Sequence, residues 1–173
     1  ALTGPYAVDK ASYSLTATPI NSANITGTPV TRLFVFDRTV PLTGITSPSG
    51  SACAGASACL NSLGQIAGTA VDPGNVSPPS LPYSGMKIRL KDNVSGQYWN
   101  GAAFQAGAVD LLTDPGAFSG GTNVTWSTTT LAGAALKDGE DYTLYAHAAD
   151  KAGNDQLVET GMSQFSFVYD TTP

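Results

Sequence analysis

Part of this chain occurs in it twice. Leu2 to Leu15 (LTGPYAVDKASYSL) aligns without a gap on Leu131 to Leu144 (LAGAALKDGEDYTL), at an offset of 129 residues (131 − 2). Leu, Gly, Asp, Tyr and Leu match in place. The likeness continues more loosely. Ala23-Asn24 answers Ala152-Gly153-Asn154, Phe34-Val35-Phe36-Asp37 answers Phe167-Val168-Tyr169-Asp170, and Thr39 and Pro41 answer Thr172 and Pro173. The chain therefore reads as the last third of one module (1–38), then one complete module (39–173). A start in mid-module points to Ala1 as a cut within a longer protein. Tandem repetition builds length and valency rather than an active site.

A complete module of this size buries an adequate core unaided. Only 12% of the residues are charged, about half the usual quarter, and Ser, Thr, Gly and Asn fill the polar positions. This composition suits a secreted β-rich protein. The net charge of −5 and the 8 scattered Lys and Arg residues leave no basic stripe for nucleic acid. No apolar run is long enough to span a bilayer.

Apolar residues recur with period two, not with helical period. Met86, Ile88 and Leu90 alternate with Lys87, Arg89 and Lys91. Tyr142, Leu144, Ala146 and Ala148 form one face of another strand, and Phe165, Phe167 and Tyr169 one face of the last. Weaker strands are expected over 65–71, 97–104 and 123–129. Turn signals separate them: Asp72-Pro73-Gly74-Asn75, Asp114-Pro115-Gly116, Gly120-Gly121 and Lys137-Asp138-Gly139. About seven such strands make an all-β antiparallel sandwich. Within it, Leu136-x-x-Gly139-x-x-Tyr142 has the spacing of a tyrosine corner, whose phenol bonds the backbone of the preceding crossover. Tyr142 is thus read as structural, and Asp9 and Tyr13 repeat the pattern.

Cys53 and Cys59 lie in a small-residue loop, SACAGASAC. Five intervening residues can close a tight disulfide, which places the chain in an oxidising compartment; two free thiols are the alternative. The spacing does not suit zinc.

In order and spacing these motifs resemble the immunoglobulin-like repeats of large bacterial surface and secreted proteins. The likeness rests on Asp37-x-Thr39-x-Pro41, Gln65-Ile-Ala-Gly-Thr-Ala-Val-Asp72, Tyr98-Trp99-Asn100-Gly101 and a lone Trp126. It extends through the Tyr142 corner and Ala149-Asp150-Lys151-Ala152-Gly153-Asn154 to Phe165-x-Phe167-x-x-Asp170-x-x-Pro173. The resemblance implies an Ig-like antiparallel β-sandwich with Greek-key connections, preceded by the F–G-like strands of the previous repeat. It also implies a non-enzymatic, extracellular or cell-surface role as stalk, adhesin or filament module. The disulfide loop and the Pro-rich segment 77–83 depart from the pattern.

No constellation for catalysis stands out. The single histidine, His147, shares a strand face with Thr143 and Tyr145 and reads as solvent-facing. Asp138, Glu140 and Asp141 read as solvated turn charges. No Gly-x-Ser-x-Gly elbow or phosphate-binding loop occurs. No cofactor is required. If the fold is Ig-like, the turns carrying Asp72 with Asn75 and Asp150 with Asn154 and Asp155 share one end of the sandwich, and Asp37 arrives beside them. Carboxylates and amide oxygens gathered there are the hard donors Ca²⁺ accepts. Asp, Asn and Gly are also ordinary turn formers, which is the plainer reading. Trp99 and Trp126, with Tyr98, suit either a sugar-stacking platform or a sandwich core, and their places within strands favour the core. Asn24, Asn75, Asn93 and Asn123 sit in glycosylation sequons, which chance also produces in so Asn/Ser/Thr-rich a chain. The partners expected are neighbouring repeats, copies of the same protein, or a surface glycan or host ligand. Residues 2–37 alone would expose an apolar face and open edges. Two further readings follow: a fibre subunit assembling by strand donation, and a carbohydrate-binding accessory module of a secreted enzyme.

Overall fold

The alternating segments form the strands of a computed structural model, which describes residues 8–53, 58–72, 85–112, 123–150 and 152–172. Among these the protein is all-β, with several antiparallel sheets and a single 3-10 turn at Glu159–Gly161 as its only helical element. The Pro-rich segment 77–83, the turns around 73–75, 114–116 and 120–121, and residues 2–5, Lys151 and Pro173 lie outside the described residues.

The chain divides into two compact units, residues 1–39 and 40–173. The first is a hairpin: β1 (Ala11–Ala17) pairs antiparallel with β2 (Val30–Phe36), Tyr13 facing Phe34. Thr and aromatic residues favour the pleated conformation. The connection is pinned by the Asn21 side chain, which accepts the backbone N–H groups of Ala23 and Ile25, each at 2.9 Å.

The second unit is a β-sandwich. One sheet has the order β11–β6–β3, from β3 (Leu42–Ser47), β6 (Ile66–Val71) and β11 (Asn123–Thr128). The other runs β4–β5–β13–β12–β7–β8–β9, with β10 beside β7. Its long strands are β7 (Met86–Asp92), β12 (Asp141–Ala148) and β13 (Ser163–Tyr169). Its short ones are β4 (Ser51–Ala52), β5 (Ala58–Leu60), β8 (Tyr98–Trp99), β9 (Phe104–Gln105) and β10 (Leu111–Leu112). Among the described residues every strand pairing is antiparallel except β5 with β13. The region expected as one weak strand over 97–104 is instead the small hairpin β8–β9, because Asn100 folds the chain back. Its Oδ1 accepts the N–H groups of Ala102 and Ala103.

Between the sheets, Ile66, Ala70, Val124 and Trp126 face Met86, Ile88, Leu90, Leu144 and Phe167. Each large side chain buried here contributes about 1.5–3 kcal/mol. The Trp126 indole lies against Gly68 of β6, its Nε1 donating to the Thr69 carbonyl at 3.1 Å. The glycine of Gln-Ile-Ala-Gly is demanded by that contact. A Cβ on Gly68 would stand 1.9 Å from the Gly44 carbonyl oxygen and 2.4 Å from Trp126 Cζ2. From Tyr142 to Ala148, β12 is buried on both faces rather than on the one that its alternation predicts.

Candidate functional site: a clamped module exit

Tyr142 stands near the start of β12, where the chain enters from the crossover. Its hydroxyl accepts the backbone N–H of Lys137 at 2.9 Å, the bond expected of a tyrosine corner, and its ring stacks on Phe167 at 5.7 Å. Burial raises the pKa of the phenol, so it stays protonated. Gly139, with φ of +76°, turns the chain into β12 and donates to the Tyr169 carbonyl at 2.7 Å. The left-handed conformation favours glycine there.

The segment leaving β13 is held against this corner. Asp138 accepts the backbone N–H of Thr171 at 2.6 Å and the hydroxyls of Thr171 and Thr172 at 2.8 and 2.9 Å. Asp170 accepts the N–H of Thr172 at 3.0 Å. The Thr171 backbone bond and the two hydroxyls lower the pKa of Asp138 below the usual carboxylate value. The exit of the module is thereby fixed to its own last two strands.

The hairpin repeats the main bonds of this site, with Arg38 in the place of Thr171 and so without that residue's hydroxyl bond. Val8 N–H donates to the Tyr13 hydroxyl at 2.8 Å, and Tyr13 stacks on Phe34 at 5.6 Å. Lys10 takes the glycine's place with φ of +63° and donates to the Phe36 carbonyl at 2.6 Å. Asp9 accepts the Arg38 N–H at 2.6 Å and the Thr39 hydroxyl at 2.7 Å. Asp37 accepts the Thr39 N–H at 2.9 Å. The Thr39 hydroxyl, then the Arg38 N–H, lower the pKa of Asp9 in turn. The sequence repeat is thus a structural repeat. Asp37 acts in its unit as Asp170 does in the other.

Of the remaining candidate oxygen ligands, Asp72 and Asp150 come together. Both are buried, with carboxylate oxygens within 4.8 Å of each other. Asn154 joins them through Asp150, donating its N–H at 2.9 Å and its side-chain amide at 2.8 Å. Asp155 is engaged elsewhere, and Asn75 lies outside the described residues.

Asp155 belongs to a network the sequence reading missed. His147 was expected to face solvent; it lies on the predicted strand face but is fully buried. Its Nδ1 faces Asp155 Oδ1 at 2.8 Å and its Nε2 faces Asp110 Oδ1 at 3.0 Å. Lys87 lies 3.4 Å from Asp155, and Arg89 also donates to Asp110. Burial opposes the charged form of Asp110, yet the bonds from Arg89 and His147 outweigh it and lower its pKa. The ring thus straps the segment before β10 and the turn after β12 onto the sheet, with both nitrogens occupied. The cue lay in Lys87 and Arg89 at alternate positions of β7. Cations on a sheet face covered by loops must find partners.

Trp99 and Trp126 are both core residues, 3% and 1% exposed, so neither indole face is open for stacking on a sugar. Cys53 and Cys59 form the disulfide, closing the β4–β5 hairpin at the sheet edge. Asp138, Glu140 and Asp141, taken as solvated turn charges, each have partners: the exit segment, Lys137 and Asn93. No helix among the described residues is long and apolar enough to cross a membrane. No protein-family model and no curated protein matches the chain.

Proposed function

We propose that this chain is a non-enzymatic structural repeat of an extracellular bacterial stalk, adhesin or filament, built on Ig-like modules. The observation that carries the reading is the recurrence of the tyrosine corner, the aromatic stack and the aspartate clamp. A device that fixes where the chain leaves a module is useful to an array transmitting force or holding a ligand at a distance. The disulfide-closed edge fits an oxidising environment and protects one end of the sheet from pairing with other chains. Assembly by strand donation is a second reading, because among the described residues β1 and β2 pair only with each other. The carbohydrate-binding reading loses its footing with both Trp side chains in the core.

The test is the intact mass and assembly state of the protein from its source, with and without EDTA. A chain much longer than 173 residues, or a filament containing it, is the expected result. A discrete 17.7 kDa monomer would overturn the array and fibre readings alike. The EDTA arm addresses calcium. The buried Asp72–Asp150 pair and Asn154 supply hard oxygen donors at one end of the module. Ca²⁺ held there would raise the thermal midpoint of the native protein, and Asp72→Asn would abolish the rise. A midpoint indifferent to both leaves these residues as turn formers.

A further inference from the structure

The two copies of the clamped corner differ most in what covers them. In the complete module, Leu144 and Phe167 are 0% exposed. Their counterparts in the hairpin, Leu15 and Phe34, are 64% and 40% exposed. The complete module also displays what does the covering. β7 pairs antiparallel along one edge of β12, β5 pairs parallel along the free edge of β13, and β3 packs across both from the opposite sheet. Among the described residues the hairpin has none of these: β1 pairs only with β2. Two such strands are marginal alone in water, and bare edges and a bare apolar face invite pairing.

Resting on the tandem-repeat reading, we infer that the Tyr13–Leu15–Phe34 face of the hairpin is a docking surface for a covering sheet of the same repeat type, carried upstream on the same polypeptide. That upstream segment supplies a β7-like strand antiparallel to β1 and a β5-like strand parallel to β2 within the hairpin's own sheet, and a facing sheet like β11–β6–β3. The corner itself argues for a source in the same chain. A tyrosine corner forms where a crossover from the opposite sheet enters its strand. The bond from Val8 N–H to Tyr13 matches that from Lys137 N–H to Tyr142, at the same separation of five residues. Residues 8–10 therefore lead into β1 as residues 137–139 lead into β12, which in the complete module follows the crossover from β11.

The experiment compares two chains by native-state amide exchange. One is residues 1–173. In the other, a second copy of residues 40–130 is joined ahead of Leu2, the counterpart of Leu131. In the first chain the β1 and β2 amides should exchange with little protection at any dilution. In the second they should exchange at least about 100-fold more slowly. Leu15→Asp in the longer chain should reverse that gain while the amides of β7 and β12 in residues 40–173 stay protected. Three outcomes would overturn the inference: no gain in the longer chain, concentration-independent protection already present in 1–173, or protection in 1–173 that rises with concentration. The last would assign the face to a second copy. Protection within residues 40–173 is read separately, so failure at the hairpin leaves the array reading standing.

Discussion

The phenol of Tyr142 links sequence to fold most directly, since a single bond to Lys137 N–H ties a crossover to a core strand. Tyr142→Phe keeps the stack on Phe167 but leaves that N–H without its partner. We expect a loss of about 1–3 kcal/mol, read by denaturant midpoint. His147→Ala removes the strap between Asp110 and Asp155 and leaves a void, at a cost of about 2–4 kcal/mol. Exchange should rise first in the two strapped segments. The clamp aspartates set the response to acid. Their hydrogen bonds hold the folded pKa values of Asp138 and Asp9 below the usual carboxylate value. Their stabilisation is therefore complete above about pH 4 and is lost as the pH falls through the folded values. The thermal midpoint should hold steady from pH 7 to 5 and drop below 4, with a shallower drop in Asp138→Asn; an unchanged profile would remove Asp138 from the account. Tyr142 and the cysteine pair were legible because each signal is local. The burial of His147 was not, because Asp110 comes from 37 residues away and no local pattern brings it there.

β7, β12 and β13 follow from their alternation, although β12 is buried on both faces, and β6 and β11 carry a weaker signal. The two-residue strands do not. β4, β8, β9 and β10 are set by where turns and neighbouring strands place the backbone, not by any pattern of their own. β8–β9 was read as one strand because the Asn100 turn lies amid residues that also suit a strand. β3 carries no alternation strong enough to announce it. Gly68 shows a motif position explained by packing: the β3–β6 pairing and the Trp126 ring leave it no room for a Cβ. Gly68→Ala should cost at least about 2 kcal/mol by forcing β3 from β6 or tilting the indole. Near-UV circular dichroism would report the tryptophan. A variant of unchanged stability would contradict the packing described here.

The repeat was the most legible property of the chain, and it recurs in the structure as paired hydrogen bonds, stacks and clamps. What the array touches was not legible. The candidate ligand residues are turn formers or core aromatics in most sandwiches, and only their surroundings distinguish the roles. A tandem array of one mechanical unit, sampled by this chain, has a signature that stretching single molecules of the protein from its source would read. Residues 40–173 form one unit of 134 residues (173 − 39). Each unfolding event should lengthen the chain by about 450 Å, at close to 3.5 Å per residue. A train of such events at equal spacing is expected. A single event, or unequal increments, would contradict the array.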